Sequence, residues 1–353
     1  MTAPLLPSLR FCVTSDLLVS DPRRELALDW LAGFASQYGL ELESLAPASA
    51  DASFRRYFRI QAGAGSLIVM DAPPPQEDVR PFIHVARLMA EAGLHVPKVL
   101  EQDIERGLLL LTDLGAQTYL EAMSADNADA LMRDAISALV RWQQASRPGE
   151  LPPYDEVLLR RELGLFPEWY LGRHRGLHLN EQQSQVLESV FGRILASNLA
   201  QAQVYVHRDY MPRNLMLSAP NPGVLDFQDA VYGPISYDIA SLLRDAFISW
   251  PEEMVLDWTI RYWEAARAAG LPVPADFGQF WRDVEWMGLQ RHLKVLGIFA
   301  RINYRDGKPK YLADTPRFIG YARAVINRYD ELKPLGWVLD AAEGSQAQVG
   351  YTF

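Results

Sequence analysis

Between residues 204 and 226 the chain sets three short apolar runs around polar residues at fixed intervals. The runs are Val204-Tyr205-Val206, Leu215-Met216-Leu217 and Val224-Leu225. Each has the length and aliphatic or aromatic character of a short buried strand. His207-Arg208-Asp209 closes the first run, Asn214 opens the second, and Asp226-Phe227 follows the third. The polar groups therefore fall at strand ends and in the loop between them. Around this island the pattern after Tyr119 is helical, in long amphipathic stretches at about 126–146, 181–200, 251–269, 277–303 and 314–332.

The first third of the chain has a different texture. Asp21-Pro22 reads as a helix N-cap followed by proline at the first helical position. Leu26, Trp30, Leu31 and Phe34 then recur at helical spacing up to Gly39. Ser53 to Ile60 alternates aromatic and basic residues, Gly63-Ala64-Gly65 is a turn signal, and Ser66 to Met70 is a buried-strand run. Pro73-Pro74-Pro75 stops it. A helix from Arg80 to Gly93 turns Phe82, Val85, Leu88 and Met89 inward, and Val96–Val99 and Leu108–Leu111 read as strands. This predicts an α+β chain with a β-rich lobe over 21–113 and a helical lobe over 114–353. The boundary falls at Thr112-Asp113-Leu114-Gly115, and residues 1–20 form an N-terminal extension.

The polar set suits phosphoryl transfer, which asks a protein for positioning more than covalent work. One carboxylate must orient an acceptor hydroxyl and take its proton, and Asp209 fits that role. A second carboxylate and an amide oxygen must hold Mg²⁺ against nucleotide phosphates. Hard oxygen donors such as Asp226 and Asn214 are what this ion takes. With 34 basic and 44 acidic residues the net charge is −10, which argues against a sequence-independent grip on nucleic acid. One cysteine, Cys12, excludes an intrachain disulfide and a Cys-rich zinc site. No apolar run reaches the ~20 residues of a membrane span. Met1 to Ser20 lacks the arrangement of a signal peptide. The expected location is the cytoplasm.

The block His207-Arg208-Asp209, Asn214 and Asp226 resembles the protein-kinase-like superfamily. Only 11 residues separate Asp226 from Asp238, and no Ala-Pro-Glu follows, so a peptide-docking segment has no room. Gly233 to Ala240 (GPISYDIA) resembles a run of the aminoglycoside phosphotransferase family, whose members phosphorylate small molecules. That resemblance implies a two-lobed kinase-like fold with ATP as donor. It makes His207 and Asp238 braces of the catalytic loop, and it sets the nucleotide against Thr112, Asp113 and Leu114. Four further stretches, at 52–59 (ASFRRYFR), 68–74 (IVMDAPP), 110–115 (LLTDLG) and 288–300 (GLQRHLKVLGIFA), narrow it. They resemble the anomeric amino-sugar kinases of bacterial cell-wall recycling. The implied reaction is phosphorylation of N-acetylmuramate and N-acetylglucosamine at C1.

Some positions depart from the kinase pattern. Met70 stands where the usual strand-three lysine is expected, and no Gly-rich loop precedes it. Ser53-Phe54-Arg55-Arg56 occupies that hairpin instead, so Ser53 and Arg56 are the expected phosphate contacts. Strand alternation turns Arg55 and Arg56 to opposite sides, Arg59 is a further candidate, and a solvated basic hairpin is the plainer alternative. On the 285–300 wheel Trp286, Leu289, Leu293, Leu296 and Ala300 share a core face. His292 lies at its edge, and Arg291 and Lys294 lie opposite beside Met287 and Ile298, a face that either lines an acceptor cleft or is a plain exposed basic face. Arg291, His292, Asp229 and Arg244 are the expected acceptor contacts. A different small-molecule kinase (aminoglycoside, choline or homoserine type) is one alternative. A nucleotide-binding pseudokinase, supported by Met70 alone, is the other.

Overall fold

The computed structural model describes residues 21–49 and 54–344. The expected extension at 1–20 and Ser53 lie outside the described residues. The chain forms two compact units. One runs to Asp78 and takes in Glu101–Leu111; the other comprises Val79–Leu100 and the chain from Thr112 onward.

In the first unit Asp21 caps helix α1 (Pro22–Ala32) by accepting the Arg24 N–H at 3.1 Å, with Pro22 in the first turn. The helix ends at Ala32 rather than at Gly39. A short α2 (Ala35–Tyr38) follows, and Gly39 turns the chain with φ 62°. Five strands form one sheet in the order β1-β2-β3-β5-β4. They are β1 (Glu41–Ser49), β2 (Arg56–Ala62), β3 (Gly65–Asp71), β4 (Val99–Asp103) and β5 (Leu108–Thr112). The expected hairpin is β2–β3, with Ala62 opposite Gly65 and Arg56 opposite Asp71. Sequence patterning misses β1, whose alternation is broken by Pro47. It is an edge strand with register shifts, where a missing N–H is tolerated.

The second unit begins with α3 (Arg80–Glu91), whose buried Phe82, Val85, Leu88 and Met89 form its inner face. Helices α4 (Tyr119–Ala122), α5 (Ala128–Gln144) and α6 (Glu156–Leu165) follow, and α6 runs on as a π-helical segment, Phe166–His174. After α7 (Glu181–Leu199) come β6 (Gln203–Val206), β7 (Leu215–Met216), β8 (Gly223–Val224) and β9 (Val231–Pro234). Then come α8 (Tyr237–Leu243), α9 (Glu252–Ala268), α10 (Phe277–Asp306), α11 (Thr315–Arg328) and α12 (Lys333–Glu343).

Helix α10 corrects the two-faced reading of 285–300. It is buried on every side from Asp283 to Gly297, charged residues included. The π-helical segment, α6, α7, α8 and α11 all pack on it, so no face is left for solvent. Gly297 is part of the reason. A Cβ there would come within 2.4 Å of the Leu165 backbone carbon and oxygen, so α10 lies directly on the chain where α6 becomes π-helical. Among the described residues no helix is long and apolar enough to cross a membrane.

Candidate active site

Two small antiparallel pairs position the polar set. β6 pairs with β9, Val206 opposite Val231, and delivers His207 at its end. β7 pairs with β8, Leu215 opposite Val224, which brings Asn214 beside Asp226. The Asn214 side-chain amide donates to the Asp209 carbonyl at 2.9 Å and to Asp226 Oδ2 at 3.3 Å. Gln228 donates to the other Asp226 oxygen at 2.9 Å. Asp209, Asn214 and Asp226, spread over 18 positions of sequence, thus share one hydrogen-bonded loop system.

Backbone strain marks the same loops. Among the described residues only Arg208 (φ 75°) and Asp226 (φ 63°) are non-glycine residues at positive φ. Side chains with a Cβ reach that region at a cost of ~1–3 kcal/mol, and surrounding bonds must hold them there. The Asp238 carboxylate does so for Arg208. It accepts the His207 N–H at 2.6 Å and the Arg208 N–H at 3.0 Å. Asp238 is buried near the start of α8, and burial pushes its carboxyl up to about 7 against those two donors. His207 ties the two loops together. Its Nδ1 accepts the Asp209 N–H at 3.3 Å and its Nε2 donates to the Leu225 carbonyl at 3.0 Å. A neutral imidazole satisfies both bonds. Burial pushes its pKa down to about 4, although Asp209 pulls the other way.

A second layer, not found from sequence, lies under this loop. The Glu162 carboxylate of α6 meets Arg208 Nη2 at 2.6 Å and Lys294 Nζ at 2.9 Å. Gln290 donates to it at 3.2 Å, and the Tyr154 hydroxyl donates as well. Lys294 also donates to the Tyr237 hydroxyl at 3.1 Å. Burial alone would raise the Glu162 carboxyl, but Lys294 and Arg208 overcome it and hold it at about 2. Burial pushes the Lys294 ammonium down, and the Glu162 charge more than offsets this. Arg208 thus joins the strained loop to α6, and Glu162 joins α6 to Lys294 and Gln290 of α10.

The other expected residues are placed variously. Asp229 is exposed beside the loop, and its carbonyl accepts from Arg208 at 3.4 Å. Arg291 and His292 are only 2% and 1% exposed, so neither presents a surface to an acceptor. Arg291 donates to the Arg244 carbonyl at 3.3 Å. Arg244 itself is half-buried at the end of α8. Thr112 accepts the Lys98 N–H at 2.9 Å, Asp113 accepts the Gly115 N–H at 3.0 Å, and Leu114 is buried, so these side chains shape a turn. Arg56 corrects the expectation of an open phosphate contact. Its guanidinium lies between Asp21 at 2.6 Å and the fully buried Asp71 at 2.7 Å. Asp71 stands opposite Arg56 in the β2–β3 register and also pairs with Arg23. A buried carboxylate needs such cations, so Arg56 braces the sheet.

The donor set fits a hard divalent cation. Asn214 spends its nitrogen twice inside the loop, which leaves its oxygen as the donor for a metal. Among the described residues no three His, Cys, Asp or Glu side chains gather as a complete cage. One carboxylate and one amide are the protein's share when nucleotide phosphates supply the rest, as is usual for Mg²⁺.

The profile described as the phosphotransferase enzyme family matches residues 44–275. This chain belongs to that family. A Pseudomonas putida relative named N-acetylmuramate/N-acetylglucosamine kinase is 58% identical over 83% of this chain and 86% of its own. A Neisseria meningitidis relative of the same name is 52% identical over 87% of this chain and 93% of its own. Among solved structures, amicoumacin kinase hAmiN in complex with AMP-PNP, Ca²⁺ and Ami is similar with a TM-score of 0.59 at 15% identity. It covers 84% of this chain and 93% of its own. A choline/ethanolamine kinase family protein from Mesorhizobium loti has a TM-score of 0.57 at 16% identity, covering 91% of this chain and 99% of its own. At these identities the structures establish the kinase-like fold.

Proposed function

We propose that this protein is an ATP-dependent kinase that phosphorylates the anomeric C1 hydroxyl of N-acetylmuramate and N-acetylglucosamine, giving the sugar 1-phosphate in cell-wall recycling. One observation carries the reading: the hydrogen-bonded Asp209–Asn214–Asp226 loop system sits in a chain 52–58% identical, over most of both lengths, to relatives named for that acceptor pair. In this reading Asp209 accepts a hydrogen bond from the C1 hydroxyl and takes its proton. The C1 oxygen bonds to the γ-phosphorus, the bond to the β–γ bridging oxygen breaks, and ADP leaves. An anomeric hydroxyl is more acidic than an ordinary alcohol, so a carboxylate is a sufficient base. Asn214 and Asp226 hold Mg²⁺, which supplies charge neutralisation at the phosphates. Thr112 to Leu114 offers the nucleotide its backbone groups. His207 and Asp238 keep Asp209 aimed.

The test is Asp209→Asn. Turnover falls at least ~10²-fold, the low end for a lost general base, while nucleotide affinity stays at the wild-type value. Wild-type turnover in that variant removes Asp209 from the role.

A further inference from the structure

Two arginines and a histidine gather about Tyr321, each with a polar group left unsatisfied. The Arg244 guanidinium stands 5.3 Å over it and, among the described residues, makes no hydrogen bond or ion pair. Arg317, in the first turns of α11, donates to Ser249 Oγ at 2.8 Å, but its buried Nε has no partner. Its other contact, to Asp314, is long at 3.7 Å. The His292 ring lies 5.2 Å from Tyr321, and its buried Nδ1 is also unpartnered. Tyr321 and Ser249 share a hydrogen bond of 2.7 Å, which joins the group.

The nearby acids are committed elsewhere. Arg328 pairs with Glu285 and, at 2.5 Å, with Glu252; the Tyr329 hydroxyl donates to Glu285 at 2.6 Å. Asp245 accepts the Ala246 and Phe247 N–H groups at 2.6 and 3.2 Å. A cavity of 30 Å³, lined by Arg244, His292, Tyr321, Glu252 and Glu285 among others, admits a water-sized group but no sugar ring. A ligand must therefore meet Arg244 on its open side. Burial pushes the Arg244 pKa down, and Tyr321, Glu252 and Glu285 offset this only in part. A partly buried guanidinium with no hydrogen-bonded carboxylate is costly to desolvate, and a planar anion reduces that cost with two parallel hydrogen bonds.

The segment carrying Arg244 and Ser249 is also touched from the catalytic loop. Arg213, next to Asn214, stands 5.2 Å over the Phe247 ring, three residues from Arg244. We propose that Arg244 and Arg317, with Ser249 and Tyr321, form a carboxylate subsite for the acceptor. It receives the lactyl carboxylate of N-acetylmuramate, the group that N-acetylglucosamine lacks. The inference rests on the acceptor reading above and sharpens it: these residues set the preference between the two sugars.

The test compares kcat/KM for both sugars in the wild type, Arg244→Gln and Arg317→Gln. In each variant the N-acetylmuramate to N-acetylglucosamine ratio falls roughly 10- to 100-fold, the scale of a lost charge-assisted hydrogen bond. Most of the loss is in KM for N-acetylmuramate. The methyl ester of the lactyl group, offered to the wild type, loses a similar factor, and this arm stands if a variant fails to fold. An unchanged ratio in both variants, or an ester used as well as the acid, overturns the subsite. Wild-type turnover of neither sugar overturns the acceptor reading instead.

Discussion

Glu162→Gln removes the one carboxylate between two buried cations, and the structure sets its cost. Glu162 is 5% exposed and meets Arg208 at 2.6 Å, Lys294 at 2.9 Å and Gln290 at 3.2 Å. A carboxyl held at about 2 instead of 4.5 corresponds to about 3 kcal/mol of native-state stabilisation. Breaking a buried pair by removing one partner costs ~3–5 kcal/mol, so the two routes agree. Lys294→Met costs less, because Glu162 keeps Arg208. The double variant costs less than the sum of the singles, because an uncharged thioether side chain in place of the ammonium needs no counter-charge. The sign with pH follows from the lowered carboxyl. Its contribution is complete above pH 4.5 and is lost as pH falls through about 2. Urea or thermal unfolding of the wild type, both singles and the double should therefore show a gap of about 3 kcal/mol between wild type and Glu162→Gln at pH 7. That gap narrows only below pH 4.5. Equal stability of wild type and Glu162→Gln at pH 7, or a Lys294→Met cost larger than the Glu162→Gln cost, would falsify the account of this network.

Three further outcomes are expected. His207 is buried neutral at about 4, so unfolded chains out-compete it for protons as pH drops from 6.5. Wild type loses up to about 3 kcal/mol relative to His207→Gln between pH 6.5 and 4; parallel stability curves for the two proteins would contradict this. Gly297→Ala forces a methyl onto the Leu165 backbone at 2.4 Å and destabilises by at least ~1–3 kcal/mol, read as a lowered unfolding midpoint. Asp226→Asn weakens Mg²⁺ dependence of nucleotide binding by an order of magnitude or more, measured by calorimetry at several Mg²⁺ concentrations, and an unaltered Mg²⁺ titration would remove Asp226 as a ligand.

Much of the site was legible because its residues are close in sequence. The Asp209, Asn214 and Asp226 spacing fixes which strand ends they occupy, and β6 to β9 place them there. Long helices with one apolar stripe, such as α5, α7 and α9, also read directly from periodicity. The buried second layer did not. Glu162 and Lys294 are 132 positions apart, and periodicity assigns any charged residue to the outer face. Helix α10 breaks that rule at Lys294 and Glu285, which Glu162 and Arg328 of other elements neutralise. Arg291 and His292 differ from the expectation because neighbouring helices cover the whole of α10 around them. Arg56 has the chemistry of a phosphate ligand, but Asp21 and Asp71, which claim it, are recognisable only once the sheet register is known. Gln228 directly follows Asp226-Phe227, and a polar residue at that position was the available signal for its bond to Asp226.

The central claim is a kinase acting at the anomeric hydroxyl of an N-acetylated amino sugar. The most direct measurement mixes the protein with ATP and Mg²⁺ and, separately, N-acetylmuramate, N-acetylglucosamine, glucose, choline and kanamycin, and follows the products by ³¹P NMR. The account predicts an anomeric phosphate, coupled to H1, from both N-acetyl sugars and ADP in equal amount. Phosphate on another hydroxyl, or ADP release only with kanamycin or choline, would contradict it.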